Sequence, residues 1–380
     1  MAMSLPQGQC PIQCQLCEGD PKVKWKCLDC DLLMCSKCKD KVHSKFKSDK
    51  DHTIIDIKDV GRQSNMIKGV DQQDKEISGH QQAGEPSSPT NVELINIKEY
   101  KTKMVNIRFL AVSLDSSLWI GDGDEEEIFH LFKSYTALQN VKLVGDKVKV
   151  ISSFNIEVFD IAVSPTNDIL LATGGRRLKQ IKAGSNKVTD SIYCEDIHDL
   201  SGLCSVHVTK DGLVIVGGDN VVVVMDTDGK HLTRYEEDEN NQQIFDATIW
   251  SITSTLNGNI FVAQPYSNLK VVVLGKGDVI NNYTGHPSIN RQRRFTPLSV
   301  ITTPMDNIIV ADYNYHTLHI LDNTGHLLTT YNTKDRGIAY PRSLVITMEG
   351  PFAVLYIGCD MTFIKSSDTG KLYKMNIIGC

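Results

Sequence analysis

Residues 297–331 read PLSVITTPMDNIIVADYNYHTLHILDNTGHLLTTY, and this stretch decides the fold. It begins with an alternating strand led by Pro297, passes a polar turn near Met305, and continues into a strongly β-branched strand. A second hairpin follows, with Thr324-Gly325 at its turn. Apolar runs bounded by Gly, Asn and Asp are typical of antiparallel strands joined by tight turns. The stretch therefore predicts one unit of four strands.

Similar units recur along the chain at intervals of about 40–50 residues, a period that is typical of repeat folds. The first hairpins of the six copies read FLAVSLDSSLWIGDG, FDIAVSPTNDILLATGG, LCSVHVTKDGLVIVGG, IWSITSTLNGNIFVAQP, PLSVITTPMDNIIVADY and PRSLVITMEGPFAVLYIG. Second hairpins read VVVVMDTDGKHLTRY, LKVVVLGKGDVINNY, TLHILDNTGHLLTTY and FIKSSDTGKLYKM. Six units of four strands predict a mainly β fold, with a six-bladed β-propeller over residues 93–380.

The copy at residues 297–331 resembles an NHL repeat. That family has a Pro-led inner strand, an Asx-Gly turn, a Val-Ala-Asp strand end and an Asn-His loop. Other copies depart from this pattern, with VAQPYSN in the fourth copy and TGGRR in the second. The resemblance implies a six-bladed ring that binds a partner on one of its faces.

Residues 14–52 read CQLCEGDPKVKWKCLDCDLLMCSKCKDKVHSKFKSDKDH, and seven of the eleven cysteines lie between residues 10 and 38. A dense cluster of Cys-x-x-Cys pairs in an intracellular chain indicates metal binding and not disulfides. The register C-x2-C-x9-C-x2-C-x4-C-x2-C-x4-H-x8-H offers eight ligands, enough for two tetrahedral zinc sites. The predicted ligands are Cys14, Cys17, Cys27, Cys30, Cys35, Cys38, His43 and His52. Cys10 precedes the register, and we expect it to be a thiol outside the metal sites.

The spacing leaves two ways of grouping these ligands. Neighbouring pairs would share an ion, or the pairs would interleave. The short gap between Cys30 and Cys35 favours interleaving, which is a cross-braced arrangement. Zinc 1 would then be held by Cys14, Cys17, Cys35 and Cys38, and zinc 2 by Cys27, Cys30, His43 and His52. Because protein ligands fill every coordination position, both sites are predicted to be structural.

Residues 10–58 resemble the B-box zinc finger of the tripartite-motif (TRIM) proteins, on the eight ligands, the WKCLDCDLLMCSKC core and the VHSKFKSDKDHTIIDI tail. The B-box of that family has the interleaved pairing. Residues 59–92 are rich in Gln, Ser, Gly and Pro and predict a flexible linker. They cannot sustain the coiled coil that normally follows a B-box. No RING finger is expected ahead of Cys14, so two of the three parts that name the family are missing.

The loops at one end of the ring are the candidate partner-binding surface, because loops on a rigid scaffold commonly carry binding residues. Aromatic and arginine side chains often dominate the binding energy of interfaces. The candidates are Arg176, Arg177, Tyr266, Asn268, Tyr313, Tyr315, His316, Tyr340 and Arg342. RNA is the alternative ligand, with small basic patches at Arg176, Arg177, Lys179, Lys182, Arg291, Arg293 and Arg294. Acidic runs at 122–127 and 236–239 favour a protein partner.

Composition sets the remaining expectations. A net charge of −6 argues against a nucleic-acid-binding protein, which is usually basic. No signal peptide and no apolar run long enough for a membrane span are recognised. We therefore expect an intracellular, cytoplasmic protein without membrane contact, and a monomer because a coiled coil is missing.

Three functions compete at this point. The first is a non-catalytic interaction or adaptor protein, in which the B-box and the propeller each present a protein-binding surface. The second, raised by the family resemblance, is a component of an E3 ubiquitin ligase whose activity depends on a partner. The third is a metal-dependent hydrolase with calcium in the ring. The starts of the inner strands are mostly apolar or cationic, which argues against this third function; they carry Phe159-Asp160, Leu203, Trp250, Leu298 and Arg342.

Overall fold

A computed structural model describes residues 23–27, 33–41, 54–56, 92–104, 106–122, 137–194, 202–360 and 369–380. Contacts between Cα atoms divide the chain into two compact units, Met1–Glu85 and Pro86–Cys380. None of the helices formed by the described residues has the length and apolar character needed to cross a membrane.

The N-terminal unit contains a small antiparallel sheet with a helix beside it. Its central strand β1 (Trp25–Cys27) pairs with β2 (Leu33–Met34) on one side and with β3 (Ile54–Asp56) on the other. Helix α1 (Ser36–Lys41) follows β2 directly. The buried core of this unit contains Met34, Cys35 and Cys38, against which Val23, Trp25 and Ile54 pack. A core of this size, taken over the described residues of the unit, rarely stabilises a domain without metal or disulfides.

Five antiparallel four-stranded sheets are each built from consecutive strands in the second unit. The first sheet contains β5 (Phe109–Val112), β6 (Leu118–Asp122), β7 (Ala137–Val144) and β8 (Lys147–Phe154). The second contains β9 (Asp160–Val163), β10 (Ile169–Ala172), β11 (Arg177–Ile181) and β12 (Val188–Cys194). The third contains β13 (Ser205–Val208), β14 (Val214–Gly217), β15 (Val222–Met225) and β16 (His231–Tyr235). The fourth contains β17 (Ser251–Ser254), β18 (Ile260–Gln264), β19 (Lys270–Leu274) and β20 (Val279–Tyr283). The fifth contains β21 (Pro297–Thr302), β22 (Ile308–Asp312), β23 (Thr317–Leu321) and β24 (Leu327–Asn332).

The sixth sheet joins the two ends of this unit. It consists of β25 (Pro341–Glu349), β26 (Phe352–Cys359), β27 (Lys371–Ile378) and β4 (Glu93–Lys101), in that order. Strand β4 pairs antiparallel with β27, from Lys371 opposite Lys101 to Ile378 opposite Glu93. The sequence expectation that FIKSSDTGKLYKM forms a second hairpin within the sixth copy is therefore wrong. The last residues of this stretch begin β27, the third strand of the sheet, and β4 from the start of the unit supplies the fourth strand.

The first strand of each sheet contacts the first strand of the next, from β5 through β9, β13, β17 and β21 to β25, and β25 contacts β5 again. This closed circle of inner strands confirms the predicted six-bladed β-propeller. Buried apolar residues fill the space between neighbouring blades. Between the second and third blades, for example, Leu170 and Leu178 lie in one cluster with Val206, Val214 and Val223. Each sheet buries one face against the preceding blade and the other face against the next blade. The strands of each copy are therefore apolar on both faces.

Hydrogen bonds from side chains join the inner strands of neighbouring blades near their first residues. Asp160 Oδ2, Ser251 Oγ and Ser299 Oγ accept backbone N–H groups from the next inner strand. Their donors are Val206 at 3.0 Å, Val300 at 3.1 Å and Leu344 at 3.1 Å, respectively. These positions are equivalent in their blades, each at or near the start of an inner strand. The ring is thus held by polar contacts as well as by apolar packing.

Candidate metal centre and partner-binding face

Two of the predicted zinc ligands have described side chains. Cys35 lies immediately before α1 and Cys38 lies inside it, and both are buried. Lys39 N–H donates to the carbonyl oxygen of Cys35 at 3.0 Å, which forms the first turn of the helix. Residues three apart in a helical turn lie on the same side of it. The two thiols therefore face the same buried region, as two ligands to one zinc ion must.

Contacts around Trp25 hold α1 on the small sheet. The Trp25 indole N–H donates to Ser36 Oγ at 3.2 Å, and Lys39 Nζ lies 4.0 Å from the centre of the indole ring. Buried thiols at Cys-x-x-Cys spacing, fixed at the start of a helix, fit a zinc ion, since zinc prefers thiolate and imidazole ligands.

The other predicted ligands fall outside what can be described. Cys14, Cys17, Cys30, His43 and His52 lie outside the described residues, and Cys27 is described only by its backbone at the end of β1. Within the described residues no group of three or more potential metal-binding side chains comes together. Which four ligands share an ion therefore remains the prediction made from spacing and family resemblance.

On the propeller, the strand-start face is the end of the ring at which the inner strands begin. Tyr266 lies there, in the loop between β18 and β19, and is 46% exposed. Its ring contacts Trp250 edge-on, with 5.7 Å between centroids. Trp250 in turn lies 6.3 Å from the ring of Phe109. Tyr266 is thus an exposed aromatic side chain supported by other aromatic rings.

Arg176 and Arg177 are also exposed on this face. Arg177 donates a guanidinium N–H to the carbonyl oxygen of Ser191 at 3.0 Å, which fixes its side chain against β12. Asn268 donates to Asp246 through its side-chain amide. These three predicted residues are placed where a partner would reach them.

Arg342 is placed differently from what its sequence position suggested. Only 2% of the residue is exposed, and its guanidinium donates to Asp360 Oδ2 at 3.0 Å. The same guanidinium lies over the Trp250 ring at 5.9 Å. Because the side chain is internal, Arg342 joins β25 to the residue after β26 and does not present a charge to a partner.

Three more predicted residues support each other instead of facing solvent. Tyr313 and His316 are buried, and both rings contact Tyr340, at 5.2 Å and 4.4 Å between centroids. Tyr340 N–H donates to His316 Nδ1 at 2.9 Å. Burial lowers the pKa of His316, which favours the neutral ring that can accept this bond. The three residues form an internal brace between neighbouring loops.

The structure brings the arginines of one predicted basic patch into a single groove. This arginine groove has a volume of about 550 Å³ and lies between the loop after β18 and the segment 284–295 that precedes β21. Its lining residues are Ser267, Asn268, Leu269, Thr284, Asn290, Arg291, Gln292, Arg293, Arg294 and Phe295. From the sequence alone only Asn268 and the three arginines of this set were expected to matter.

A buried network in the fifth blade supports the groove. Asp312 accepts hydrogen bonds from Asn290 Nδ2 at 2.7 Å and from Thr296 N–H at 3.2 Å. His319 Nε2 lies 3.4 Å from Asp312 Oδ2, and His319 Nδ1 shares a 2.7 Å hydrogen bond with the Tyr283 hydroxyl. The segment that carries the arginines is therefore anchored by a fixed set of polar contacts.

Two titratable side chains in the central channel, Asp160 and His207, are hydrogen-bonded to the backbone or to a neighbouring side chain. Asp160 accepts N–H groups from Ile161 and Val206, and burial raises its pKa to about 7. His207 shares a 2.9 Å hydrogen bond with Ser254, and burial lowers its pKa to about 4. These contacts stabilise the ring from within.

One family of known domains matches the N-terminal part of the chain. Residues 14–54 match the family of ANCHR-like B-box zinc-binding domains. No curated protein matches the sequence.

Several solved structures are similar to the chain. Virginiamycin B lyase from Staphylococcus aureus is 10% identical, with 76% of this chain and 100% of the lyase covered and a TM-score of 0.49. A catalytically inactive variant of that lyase with quinupristin is 11% identical, with 76% and 100% covered and a TM-score of 0.48. A protein of unknown function from Bacteroides caccae is 15% identical, with 58% of this chain and 78% of that chain covered and a TM-score of 0.44. The chain thus combines a B-box zinc-binding domain with a six-bladed β-propeller that follows it.

Proposed function

We propose that the chain is a non-catalytic interaction protein whose propeller binds a protein partner on the strand-start face. The observation that carries the proposal is the exposed set of Tyr266, Arg176 and the arginine groove on loops that are braced from beneath. Rigid loops lower the conformational entropy that a partner must remove on binding. Aromatic and arginine side chains are those that contribute most at interfaces.

The proposed B-box holds two zinc ions, with Cys14, Cys17, Cys35 and Cys38 on the first and Cys27, Cys30, His43 and His52 on the second. Thiolate and imidazole ligands fill all four positions of each ion, which leaves no position for a reacting water. In this proposal zinc supplies folding free energy, and the folded B-box offers a second small protein-binding surface.

The central channel offers support for a non-catalytic role, because its titratable groups are engaged by hydrogen bonds. A carboxylate of the channel, Asp160, has both oxygens engaged by backbone N–H groups, and His207 is engaged by Ser254. The partner-binding set lies instead on the loops outside the channel. We propose an intracellular, cytoplasmic monomer without membrane contact as the working form.

Two other functions are alternatives. The B-box resembles that of tripartite-motif proteins, so the chain would contribute substrate recognition to an E3 ubiquitin ligase if a partner recruited the conjugating enzyme. Exposed arginines on the strand-start face would alternatively bind RNA, as a cationic surface attracts phosphates. The net charge of −6 favours a protein partner.

Site-specific photo-crosslinking in cells tests the proposed face. The full chain carries a photoreactive phenylalanine analogue either at Tyr266 or at Leu256. Leu256 is 70% exposed and lies in the β17–β18 turn at the opposite end of the same blade, which makes it a matched control. We expect a discrete protein adduct from position 266 and little from position 256. Equal adducts at both positions would contradict the proposed face, and adducts removed by ribonuclease would indicate RNA instead.

The ubiquitin alternative has a separate test. Purified full-length chain is incubated with ubiquitin, activating enzyme and a panel of conjugating enzymes. The proposal predicts no ubiquitin chains above the level of a Cys35→Ser/Cys38→Ser variant. Zinc-dependent chain formation by the protein alone would show that it is itself a ligase.

A further inference from the structure

The arginine groove concentrates positive charge in a short segment. Arg291, Arg293 and Arg294 lie within four consecutive residues, and all three are exposed. Arg293 donates only to a neutral group, the carbonyl oxygen of Asn314 at 3.2 Å. Among the described residues, no hydrogen bond or ion pair engages the guanidinium of Arg291 or that of Arg294. Such guanidiniums are available to a ligand.

Two carboxylates are hydrogen-bonded to residues that line the groove. Asp246 accepts hydrogen bonds from Ser267 and Asn268 and has Lys270 Nζ at 3.9 Å. Asp312 is fully buried beneath the groove, where it is engaged by Asn290, as described above. Neither carboxylate is directed at the arginines, so the groove keeps its positive character.

The backbone of the arginine segment is held in place. The Tyr315 hydroxyl accepts the backbone N–H groups of Gln292 at 2.8 Å and Arg293 at 2.5 Å. Asn314 Nδ2 donates to the carbonyl oxygen of Arg294 at 3.3 Å. The neighbouring Phe295 is buried against His319, with 5.3 Å between ring centroids. A fixed backbone limits the conformational freedom that the arginines lose when a ligand binds. Each charge-assisted hydrogen bond therefore contributes more to the binding free energy.

We propose that the arginine groove binds an acidic segment of a partner protein, with Asp or Glu carboxylates on Arg291, Arg293 and Arg294. Guanidiniums match carboxylates in shape and charge and often bind them through two parallel hydrogen bonds. The inference rests on the proposed protein-binding function of the strand-start face and names the chemistry of the ligand.

Nucleic acid fits the groove less well than an acidic peptide does. Stacking of bases on exposed aromatic rings supplies much of the affinity for single strands. Among the described residues that line the groove, the aromatic one, Phe295, is 3% exposed and offers no ring face to a base. The exposed Tyr266 ring lies on the same face but does not line the groove. A longer nucleic acid also meets the like charge of the acidic run at 236–239, in which Glu237 and Glu239 are exposed, and a net charge of −6. A short acidic peptide avoids both problems.

Fluorescence anisotropy on the full-length chain tests the inference. The probe is a labelled synthetic peptide in which Glu alternates with Ser, and its control has Gln in place of Glu. The test variant is Arg291→Glu/Arg294→Glu. The matched control is Lys230→Glu/Lys276→Glu, which changes the net charge equally at two exposed hairpin turns at the opposite end of the ring. Circular dichroism and thermal unfolding of each variant establish that the fold is kept.

We expect the Glu peptide to bind the wild type and the Lys control alike. Binding by the Arg variant should be weaker by about tenfold or more, since charge-assisted pairs are replaced by like charges. The Gln peptide should not bind, and the affinity for the Glu peptide should fall as salt rises. Equal binding by the Arg variant, or no binding by the wild type, would overturn the inference.

Two further outcomes separate the inference from the function on which it rests. A labelled uridine-rich RNA that binds more tightly than the peptide, and that loses binding in the Arg variant, overturns the acidic ligand in favour of nucleic acid. If position 266 crosslinks to a protein but the Glu peptide does not bind, the inference fails while the proposed function stands.

Discussion

The Asp160 carboxylate accepts the backbone N–H of Val206 at 3.0 Å, and this bond joins the inner strand of the second blade to that of the third. Serine performs the same task in other blades, where Ser299 Oγ accepts the N–H of Leu344 at 3.1 Å. An ionisable group at this position makes the stability of the ring sensitive to pH. A hydroxyl does not.

The pH dependence of stability should change when Asp160 is replaced. Burial raises the pKa of Asp160 to about 7 in the folded chain, from an ordinary value of 3.8, so the folded state binds more protons between these values. This contribution to stability is therefore present at low pH and is lost as the pH rises towards 7. Asp160→Ser keeps an acceptor and removes the titration. Its free energy of unfolding should thus rise more steeply with pH between about 4 and 6.5 than that of the wild type, by up to about 1.4 kcal/mol per pH unit.

His207 provides the opposite control. Burial lowers its pKa to about 4 from 6.5, so its contribution to stability is lost as the pH falls through that range. His207→Gln should therefore flatten the rise of stability with pH over the interval in which Asp160→Ser steepens it. Urea unfolding at a series of pH values, followed by circular dichroism, measures both slopes. Identical slopes in the wild type and Asp160→Ser would mean that Asp160 is ionised throughout.

Ser299→Ala should destabilise the propeller by about 1–3 kcal/mol, because it leaves the buried N–H of Leu344 without its acceptor. Ser288→Ala is the control, since Ser288 is exposed and its hydroxyl contacts only the His286 ring. We expect the control to change the free energy of unfolding by less than about 0.5 kcal/mol. Urea unfolding of both variants gives the comparison, and equal effects would argue against a role for the inter-blade bond.

Strand β4 should be required for a stable ring. It forms the outer strand of the sixth sheet by pairing with β27, so its removal leaves β27 as an open edge. We expect a fragment of residues 86–380 to fold and unfold cooperatively, and a fragment of residues 102–380 to aggregate or to lose its sharp thermal transition. Differential scanning calorimetry distinguishes the two results. A fully cooperative transition in the shorter fragment would show that closure by β4 is dispensable.

Arg342→Ala should destabilise the propeller by about 3–5 kcal/mol, since it removes the 3.0 Å charge-assisted bond to the buried Asp360. Arg342→Leu/Asp360→Leu should recover part of this loss, because it removes the buried carboxylate together with the guanidinium. Thermal unfolding of the three proteins checks the order of stability. If Arg342→Ala kept wild-type stability but abolished crosslinking from position 266, Arg342 would be a binding residue after all.

The repeat pattern predicted the blades because turns such as Asp211-Gly212 and Asn257-Gly258 mark each hairpin locally. Closure by β4 escaped prediction, since Glu93–Lys101 lies outside every copy and pairs with a strand at the other end of the chain. Arg342 was assigned to the surface because no neighbouring residue in the sequence indicates its burial. Its partner Asp360 follows another strand, and its guanidinium lies over Trp250 of a different blade. The basic segment 291–294 was visible in the sequence. The groove itself could not be predicted, because its opposite wall comes from the loop after β18, which is distant in the sequence.

The most direct test of the two-part account is the zinc content of the full-length chain before and after chelation, read together with hydrogen exchange. Native mass spectrometry should find two zinc ions per chain, and Cys35→Ser/Cys38→Ser should keep one of them, because Cys35 and Cys38 serve a single ion in either grouping of the ligands. Removing zinc should abolish protection from exchange in β1, β2, β3 and α1 and leave the protection of the propeller strands unchanged, since the two units are separately compact. Fewer than two zinc ions in the wild type, or loss of protection in the propeller when zinc is removed, would contradict the proposed structural two-zinc B-box and an independently folded ring.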